Sequence, residues 1–128
     1  MEKRWNIKPT DTKRLQDLQQ SLKINPNDIE THLNLGVAFA RQDRIEEAIG
    51  HYRKALEIDS RYAPAHNNLG NLLLRQGRVD QAVDCYRAAV EIDPGDAEYR
   101  HNLSVGLRQL GDRQQLRSRA ETRSRRGE

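Results

Sequence analysis

The sequence predicts an all-α fold, an α-solenoid in which antiparallel helix pairs stack side by side. Residues 29–62 align without gaps with residues 63–96 at an offset of 34, with 14 identical positions. Within each copy, apolar residues recur at helical spacing on both sides of a short turn. Apolar residues make up 35% of the 128 residues and charged ones 32%, which is too few apolar residues for a thick core. We therefore expect one thin, elongated domain.

The second copy shows both predicted helices. Pro64 lies near the start of the first helix, where a missing N–H costs little, and Gly77 ends that helix. In the first copy Asp43 replaces Gly77, and we expect it to adopt the same left-handed turn. The second helix is predicted by the spacing of Val79, Ala82, Val83, Tyr86, Ala89, Val90 and Ile92.

The repeat weakens towards both ends, and the predicted array covers residues 25–111. A further shift of 34 aligns Asn68 with Asn102 and Gly77 with Gly111, so residues 97–111 predict the first helix of a partial third unit. Residues 112–128 carry six arginines and predict a basic capping helix or a partly disordered tail. Residues 1–24 predict an N-terminal segment with a helix that caps the stack.

Four segments resemble the tetratricopeptide repeat family: LNLGVAF, EEAIGHYRKALEIDS, HNNLGNLL and DQAVDCYRAAVEIDPGD. The resemblance implies 34-residue units in a right-handed superhelical stack, with the first helices on its concave face. We expect Gly36 to face Ala48 and Gly70 to face Ala82, because small residues let paired helices approach to the short end of about 8–10 Å. The family's packing positions are occupied by Leu35, Gly36, Phe39, Ala48, Tyr52 and Ala55, and by Leu69, Gly70, Leu73, Ala82, Tyr86, Ala89 and Pro94.

No motif in the sequence predicts catalysis. The segment LGNLLLRQGR lacks the spacing and the lysine of a P-loop, and we expect no cofactor, no metal and no small-molecule substrate. His32 and His66 stand where the family has a bulky packing residue, so we interpret them as partly buried structural histidines. Cys85 is the only cysteine, which excludes an internal disulfide, and we assign it no redox or catalytic role.

Asparagine recurs at one position of all three predicted first helices, as Asn34, Asn68 and Asn102. An amide offers a donor and an acceptor and can pair with any peptide backbone; the alternative left open is that duplication alone repeats the residue. Through HNNLGN at 66–71, the feature resembles the asparagine ladder of the O-GlcNAc transferase repeat superhelix. The predicted peptide-binding groove comprises Asn34, Val37, Arg41, Asn67, Asn68, Asn71, Arg75, His101, Asn102 and Arg108.

The resemblance implies a non-catalytic protein-protein interaction module, a scaffold or adaptor that binds a peptide or helical segment of a partner. Another groove type, the carboxylate clamp that holds chaperone C-termini, needs basic residues where Leu33, Val37 and Glu98 stand, so we reject that ligand. One alternative is a homo-oligomer formed through the incomplete repeat ends, with an interface at Leu107, Leu110 and Leu116. We do not favour nucleic-acid binding through the arginines of 113–126, because no aromatic residue is present there to stack on a base.

The charge pattern separates the array from its basic end. Residues 1–111 contain 16 basic and 16 acidic side chains, so the net charge of +3 lies in residues 112–128. No window approaches eighteen consecutive apolar residues, and MEKRWNIKPT lacks the apolar stretch of an export signal. We therefore expect no membrane span and a cytoplasmic protein.

Overall fold

The structure is a computed structural model, and it describes residues 9–127. These residues form α-helices without any strand, which confirms the predicted all-α solenoid. The helices are α1 (Pro9–Ile24), α2 (Ile29–Arg41), α3 (Ile45–Ile58), α4 (Ala63–Arg75), α5 (Val79–Ile92) and α6 (Ala97–Arg125).

The turns inside the two helix pairs have the same geometry. Asp43 has φ 61° and Gly77 has φ 77°, the left-handed conformation that commonly ends a helix. The next residues fold back: Arg44 N–H donates to Phe39 O and Arg78 N–H donates to Leu73 O, each at 2.9 Å. Asp43 therefore serves as the helix stop that Gly77 provides in the second pair.

The core lies between the paired helices and continues from one pair to the next. Leu35, Tyr52, Leu69, Leu73 and Tyr86 are buried in one cluster. α1 packs on α2, α3 packs on α4, and α5 packs on α6, so each helix of the stack is buried against the next one. Leu15 is the buried residue of α1.

The close approach of the paired helices depends on glycine meeting tyrosine. A Cβ atom added to Gly36 would lie within 3 Å of Cδ1 of Tyr52, and one added to Gly70 would lie 2.7 Å from Cε1 of Tyr86. The nearest atoms to each added Cβ belong to these rings, whereas the predicted contacts of Gly36 with Ala48 and of Gly70 with Ala82 stay a prediction. The glycines leave room for the edge of an aromatic ring.

α6 is a single helix of 29 residues, and it continues through Gly111, where the alignment predicts the end of a first helix. Gly111 is not among the glycines with positive φ, and the sequence after it lacks the apolar spacing of a second helix that would fold back. Residues 112–125 are exposed. The basic segment thus extends α6 beyond the helix pairs.

Candidate functional site

The first helices of the repeats lie on the inner side of the stack. Among the six helices that the structure describes, α2 contacts α4 and α4 contacts α6, whereas α3 and α5 do not contact each other. A stack is curved when the first helices of neighbouring repeats touch each other and the second helices do not. The surface formed by α2, α4 and α6 is therefore the concave side, and the predicted groove residues all belong to these three helices.

A hollow of about 250 Å³ lies between α2 and α4, with the buried ring of Tyr52 from α3 beneath it. Half of the predicted groove residues line it, with two arginines at its edge and apolar side chains deeper in. We call it the α2–α4 hollow. Its lining residues are Val37, Ala40, Arg41, Tyr52, Asn68, Asn71, Leu72 and Arg75.

Tyr52 fixes one wall of the hollow and was predicted only as a packing residue. Its side chain is 3% exposed, and burial raises its pKa to about 12, while a hydrogen bond with the side chain of Asn68 and the nearby charge of Arg41 act in the opposite direction. The phenol is therefore protonated at neutral pH. The Asn68 side chain lies close enough to Tyr52 to affect its pKa, and both residues line the hollow.

Asn71 lies one helical turn after Asn68 and pairs with the other core tyrosine. The hydroxyl of Tyr86 donates to Oδ1 of Asn71 at 2.6 Å, and burial raises the pKa of Tyr86 to about 12. Because the bond uses the carbonyl oxygen of Asn71, its amide nitrogen keeps two hydrogens for a ligand in the hollow.

The arginines give the rim of the hollow a positive charge. Arg41 and Arg75 are both exposed, and Nη2 of Arg75 lies 3.5 Å from Oδ1 of Asp43. That long, solvent-exposed ion pair is weak, so the guanidinium of Arg75 can turn towards a carboxylate in the hollow.

The gap between α4 and α6 is closed by an amide network, which corrects part of the predicted groove. Asn67 is 2% exposed, and its Nδ2 donates to Oε2 of Glu98 at 3.2 Å. Nδ2 of Asn102 in turn donates to Oδ1 of Asn67 at 2.9 Å. The Asn67 amide is thus buried and bonded to Glu98 and Asn102 within the protein.

The remaining predicted residues do not line the hollow. Asn34 is half-buried on α2, whereas His101 and Arg108 are exposed on α6. The three asparagines of the predicted ladder therefore differ, because Asn68 alone among them lines the hollow.

A histidine pair between α2 and α3 of the first repeat was not predicted. Nε2 of His32 lies 2.8 Å from the carbonyl oxygen of Pro26 and must donate to it. Nδ1 of His32 then accepts from Nδ1 of His51 at 3.1 Å, and the ring of His51 stacks on Phe39. His32 is 5% exposed. The pair had no motif in the sequence, because its members lie 19 positions apart.

The described residues do not bring metal ligands or an activated nucleophile together. Within residues 9–127, no group of three His, Cys, Asp or Glu side chains could hold a metal ion. Burial, followed by the nearby charge of Asp84, raises the pKa of Cys85 to about 11. The thiol is therefore protonated at neutral pH, and a protonated thiol is a poor nucleophile.

The comparisons place this fold in a known family. The family model for the tetratricopeptide repeat matches residues 39–103, half of the chain, and the chain belongs to the tetratricopeptide repeat family. No curated protein shows significant sequence similarity to the chain. The comparisons do not confirm the resemblance to the asparagine ladder of O-GlcNAc transferase.

Two solved structures have the same fold at low sequence identity. One is the first tetratricopeptide repeat domain of Spaghetti (RPAP3) bound to the HSP90 peptide SRMEEVD, with 16% identity, a TM-score of 0.76, and coverage of 80% of this chain and 81% of that chain. The other is the Sgt2 domain from Aspergillus fumigatus, with 18% identity, a TM-score of 0.77, and coverage of 83% and 72%. In the part of the chain that the structure describes, no helix is long and apolar enough to cross a membrane.

Proposed function

We propose that the chain is a non-catalytic protein-interaction module, a scaffold or adaptor that binds a peptide or helical segment of a partner protein along α2 and α4. The observation that carries the proposal is the α2–α4 hollow, which combines apolar lining, an unused amide donor on Asn71 and two rim arginines. Its volume of about 250 Å³ is below the range of roughly 300–1,000 Å³ that is common for small-molecule sites. That size suits one anchoring side chain of a protein ligand.

The lining indicates which segment would fit. Val37 and Leu72 offer apolar contact for an aliphatic or aromatic side chain of the ligand. Arg41 and Arg75 offer donors that match a carboxylate, and the amide nitrogen of Asn71 can bond a backbone carbonyl. A segment with an apolar anchor beside an acidic residue satisfies all three. Because each net hydrogen bond contributes only about 0.5–1.5 kcal/mol, we expect micromolar affinity.

The fold neighbours support a peptide as the ligand, but this chain differs from a carboxylate clamp. The Spaghetti domain is bound to an HSP90 peptide, which shows that this fold can hold a peptide. In this chain, Leu33, Val37 and Glu98 occupy positions where the clamp needs basic residues, and Val37 lines the hollow. We therefore expect an internal segment of a partner rather than the C-terminal carboxylate of a chaperone.

The proposal is tested by selecting ligands from a displayed peptide library with the full chain and measuring their affinities by fluorescence anisotropy. The double variant Arg41→Ala/Arg75→Ala should weaken the selected peptides at least tenfold. Arg53→Ala/Arg87→Ala is the matched control, because these exposed arginines also lie 34 positions apart but belong to α3 and α5. It removes the same charge from the outer side and should change affinity less than threefold. Equal losses in both variants, or no enriched peptide, would contradict the proposal.

We also infer that the hollow is not a catalytic site. Tyr52 and Tyr86 both have a pKa of about 12, so neither can act as a general base near neutral pH. The guanidinium groups of the two arginines carry donors only, so they can bind anions but cannot act as a base. A cytoplasmic location stays a prediction from the sequence.

Self-association also stays a prediction, and the structure changes its expected interface. Leu107 and Leu116 are 39% and 63% exposed, but they are nine positions apart on one helix. Nine residues make two and a half turns, so these two side chains lie on opposite sides of α6 and cannot belong to one flat interface. Light scattering across micromolar concentrations tests this: a constant monomer mass would contradict self-association.

A further inference from the structure

The exposed half of α6 carries a cluster of arginines on one side. Arg119, Arg123 and Arg126 follow each other at spacings of four and three residues, which places them on one face of a helix. Ser118 and Thr122 lie beside them on the same exposed surface of α6. We call Arg119, Arg123 and Arg126 the arginine patch.

Two arginines of the patch, Arg119 and Arg123, form no ion pair with an acid in the part of the chain that the structure describes. Glu121 is two positions from both, which puts it on the far side of the helix. It lies instead four positions from Arg117 and from Arg125, at the spacing that allows contact. Glu121 thus lies on the side of Arg117 and Arg125, and the other acid of the exposed part of α6, Asp112, lies seven positions before Arg119.

An uncompensated pair such as Arg119 and Arg123 is unfavourable in an isolated helix. Like charges four residues apart repel each other and destabilise the helix. A ligand with negative charges on this face would remove that repulsion, so anion binding and helix stability are coupled in this segment.

An exposed leucine at the edge of the patch favours a protein ligand over a nucleic acid. Leu116 is 63% exposed and lies three positions before Arg119 and seven before Arg123, so it shares their side of the helix. An apolar side chain beside guanidinium groups matches an amphipathic partner helix better than a row of phosphates. No aromatic residue is present in 112–127 to stack on a base.

The arginine patch lies on the side of α6 that continues the concave surface of the stack. Val105 lies at the repeat position that corresponds to Val37 and Asn71, both of which line the α2–α4 hollow. Leu116 follows Val105 by eleven residues, close to three full turns, so both lie along one side of α6. From Val105 to Arg123 that side is about 27 Å long, at 1.5 Å per residue.

We propose that Leu116 and the arginine patch bind an acidic amphipathic helix of a partner protein, with carboxylates facing the guanidinium groups and an apolar side chain covering Leu116. The proposal rests on the proposed function, because it assigns the acidic end of the ligand that occupies the inner face of the stack. The same partner would place its anchor in the α2–α4 hollow and its acidic helix on α6.

The test measures the binding of a labelled alanine-based helical peptide to the full chain by fluorescence anisotropy at physiological salt. The peptide has glutamates at spacings of four and three residues and one leucine, and its glutamine counterpart is the neutral control. Arg119→Gln/Arg123→Gln should weaken the glutamate peptide at least tenfold. Arg117→Gln/Arg125→Gln removes the same charge from the other side and should weaken it less than threefold.

A charge reversal and an oligonucleotide make the test decisive. A lysine version of the peptide should bind Arg119→Glu/Arg123→Glu more tightly than the unchanged chain, and circular dichroism confirms that each variant is folded. Equal losses in the two glutamine variants, or equal affinity for glutamate and glutamine peptides, would overturn the proposal. It would also be overturned if a single-stranded oligonucleotide bound more tightly than the glutamate peptide and lost affinity in the patch variant.

The outcome is separable from that of the proposed function. Arg41→Ala/Arg75→Ala leaves α6 unchanged and should weaken the glutamate peptide less than Arg119→Gln/Arg123→Gln does. If library-selected peptides depend on Arg41 and Arg75 while the glutamate peptide ignores the patch, this inference alone is wrong.

Discussion

The gap between α2 and α4 is open, whereas the gap between α4 and α6 is closed, although the repeats on either side align residue by residue. The cause is that two aligned positions carry different residues at the two gaps. Asn67 and Glu98 close the second gap, and their counterparts at the first gap are Leu33 and Pro64. Neither Leu33 nor the Pro64 ring offers a side-chain hydrogen bond across the gap, and Asn68 lies beside Tyr52 in the open hollow.

The same sequence difference explains why the hydroxyls of the two core tyrosines lie next to different asparagines. Asn102 stands in the place of Asn68, one repeat later, but it donates to Asn67 and does not serve Tyr86. The hydroxyl of Tyr86 bonds Asn71 of its own repeat, where the first repeat has Val37. The comparison teaches that an asparagine at a repeated position takes its role from its cross-helix neighbour.

The largest expected effect concerns Gly36 and Gly70, which pack against the two core tyrosines. Three ring atoms of Tyr52 would lie within 3 Å of a Cβ atom at Gly36, but only two atoms of Tyr86 would lie that close at Gly70. Overpacking of this kind typically costs about 1–3 kcal/mol. We expect Gly36→Ala to lower the free energy of unfolding by about 2–3 kcal/mol and Gly70→Ala by about 1–2 kcal/mol.

Urea denaturation measures both values, and Gly50 supplies the control. An added Cβ atom at Gly50 meets nothing within 4 Å, so Gly50→Ala should stabilise the exposed helix by about 0.5–1 kcal/mol. If Gly36→Ala and Gly70→Ala lower the free energy of unfolding equally, the closer contact of Gly36 with Tyr52 does not affect stability.

The next effect tests the closed gap. Asn67→Ala removes the partner of both Glu98 and Asn102, and we expect it to lower the free energy of unfolding by about 1–2 kcal/mol. Asn68→Ala should cost less than about 1 kcal/mol, because the hydroxyl of Tyr52 can then bond water in the open hollow. Thermal melting of both variants checks the difference, and the opposite ranking would contradict the contrast between the gaps.

The two repeats should also differ in how their stability depends on pH, because the first has His51 where the second has Cys85. Burial lowers the pKa of His51 from its usual 6.5, the nearby charge of His32 lowers it further, and Glu47 opposes both. The unfolded chain therefore binds a proton at this residue more readily than the folded chain. The contribution of His51 to stability is present above the usual pKa of 6.5 and is lost as the pH falls through the lowered pKa of the folded chain.

A substitution that copies the second repeat isolates this effect. The second repeat has Cys85 at the position of His51, so His51→Cys should remove part of the stability loss between pH 6.5 and 5. His101→Gln is the control, since His101 is exposed on α6 and should leave the pH dependence unchanged. Melting temperatures across that pH range give the comparison; an unchanged slope in His51→Cys would contradict the assignment.

The sequence was sufficient for features that depend on local spacing. The offset of 34 predicted the two helix pairs, and the alignment of Asp43 with Gly77 predicted a left-handed turn at a residue other than glycine. Features that depend on the third dimension were missed or misplaced. The sequence alone predicts Asn67 on the surface, because its partner Glu98 lies 31 positions away. His32 and His51 come into contact only through the packing of α2 on α3.

The misplaced boundary in α6 has a related cause. Gly111 aligns with Gly77, but a glycine ends a helix only where the following chain gains by folding back. After Gly77 the apolar residues of α5 provide that gain, whereas residues 112–125 are polar and exposed. The helix therefore continues, and the arginine patch is displayed on it.

The smallest expected effect compares the two turns. Asp43 adopts φ 61° at a cost that Gly77 avoids, since the left-handed conformation disfavours a residue with a Cβ atom by about 1 kcal/mol. Asp43→Gly also removes the ion pair with Arg75, which is exposed and contributes little. We expect a net stabilisation of about 0.5 kcal/mol, and for Gly77→Asp a loss of about 1 kcal/mol, measured by urea denaturation. If Asp43→Gly destabilised the chain, the contacts of Asp43 would outweigh its backbone strain, and the two turns would be stabilised by different means despite their equal geometry.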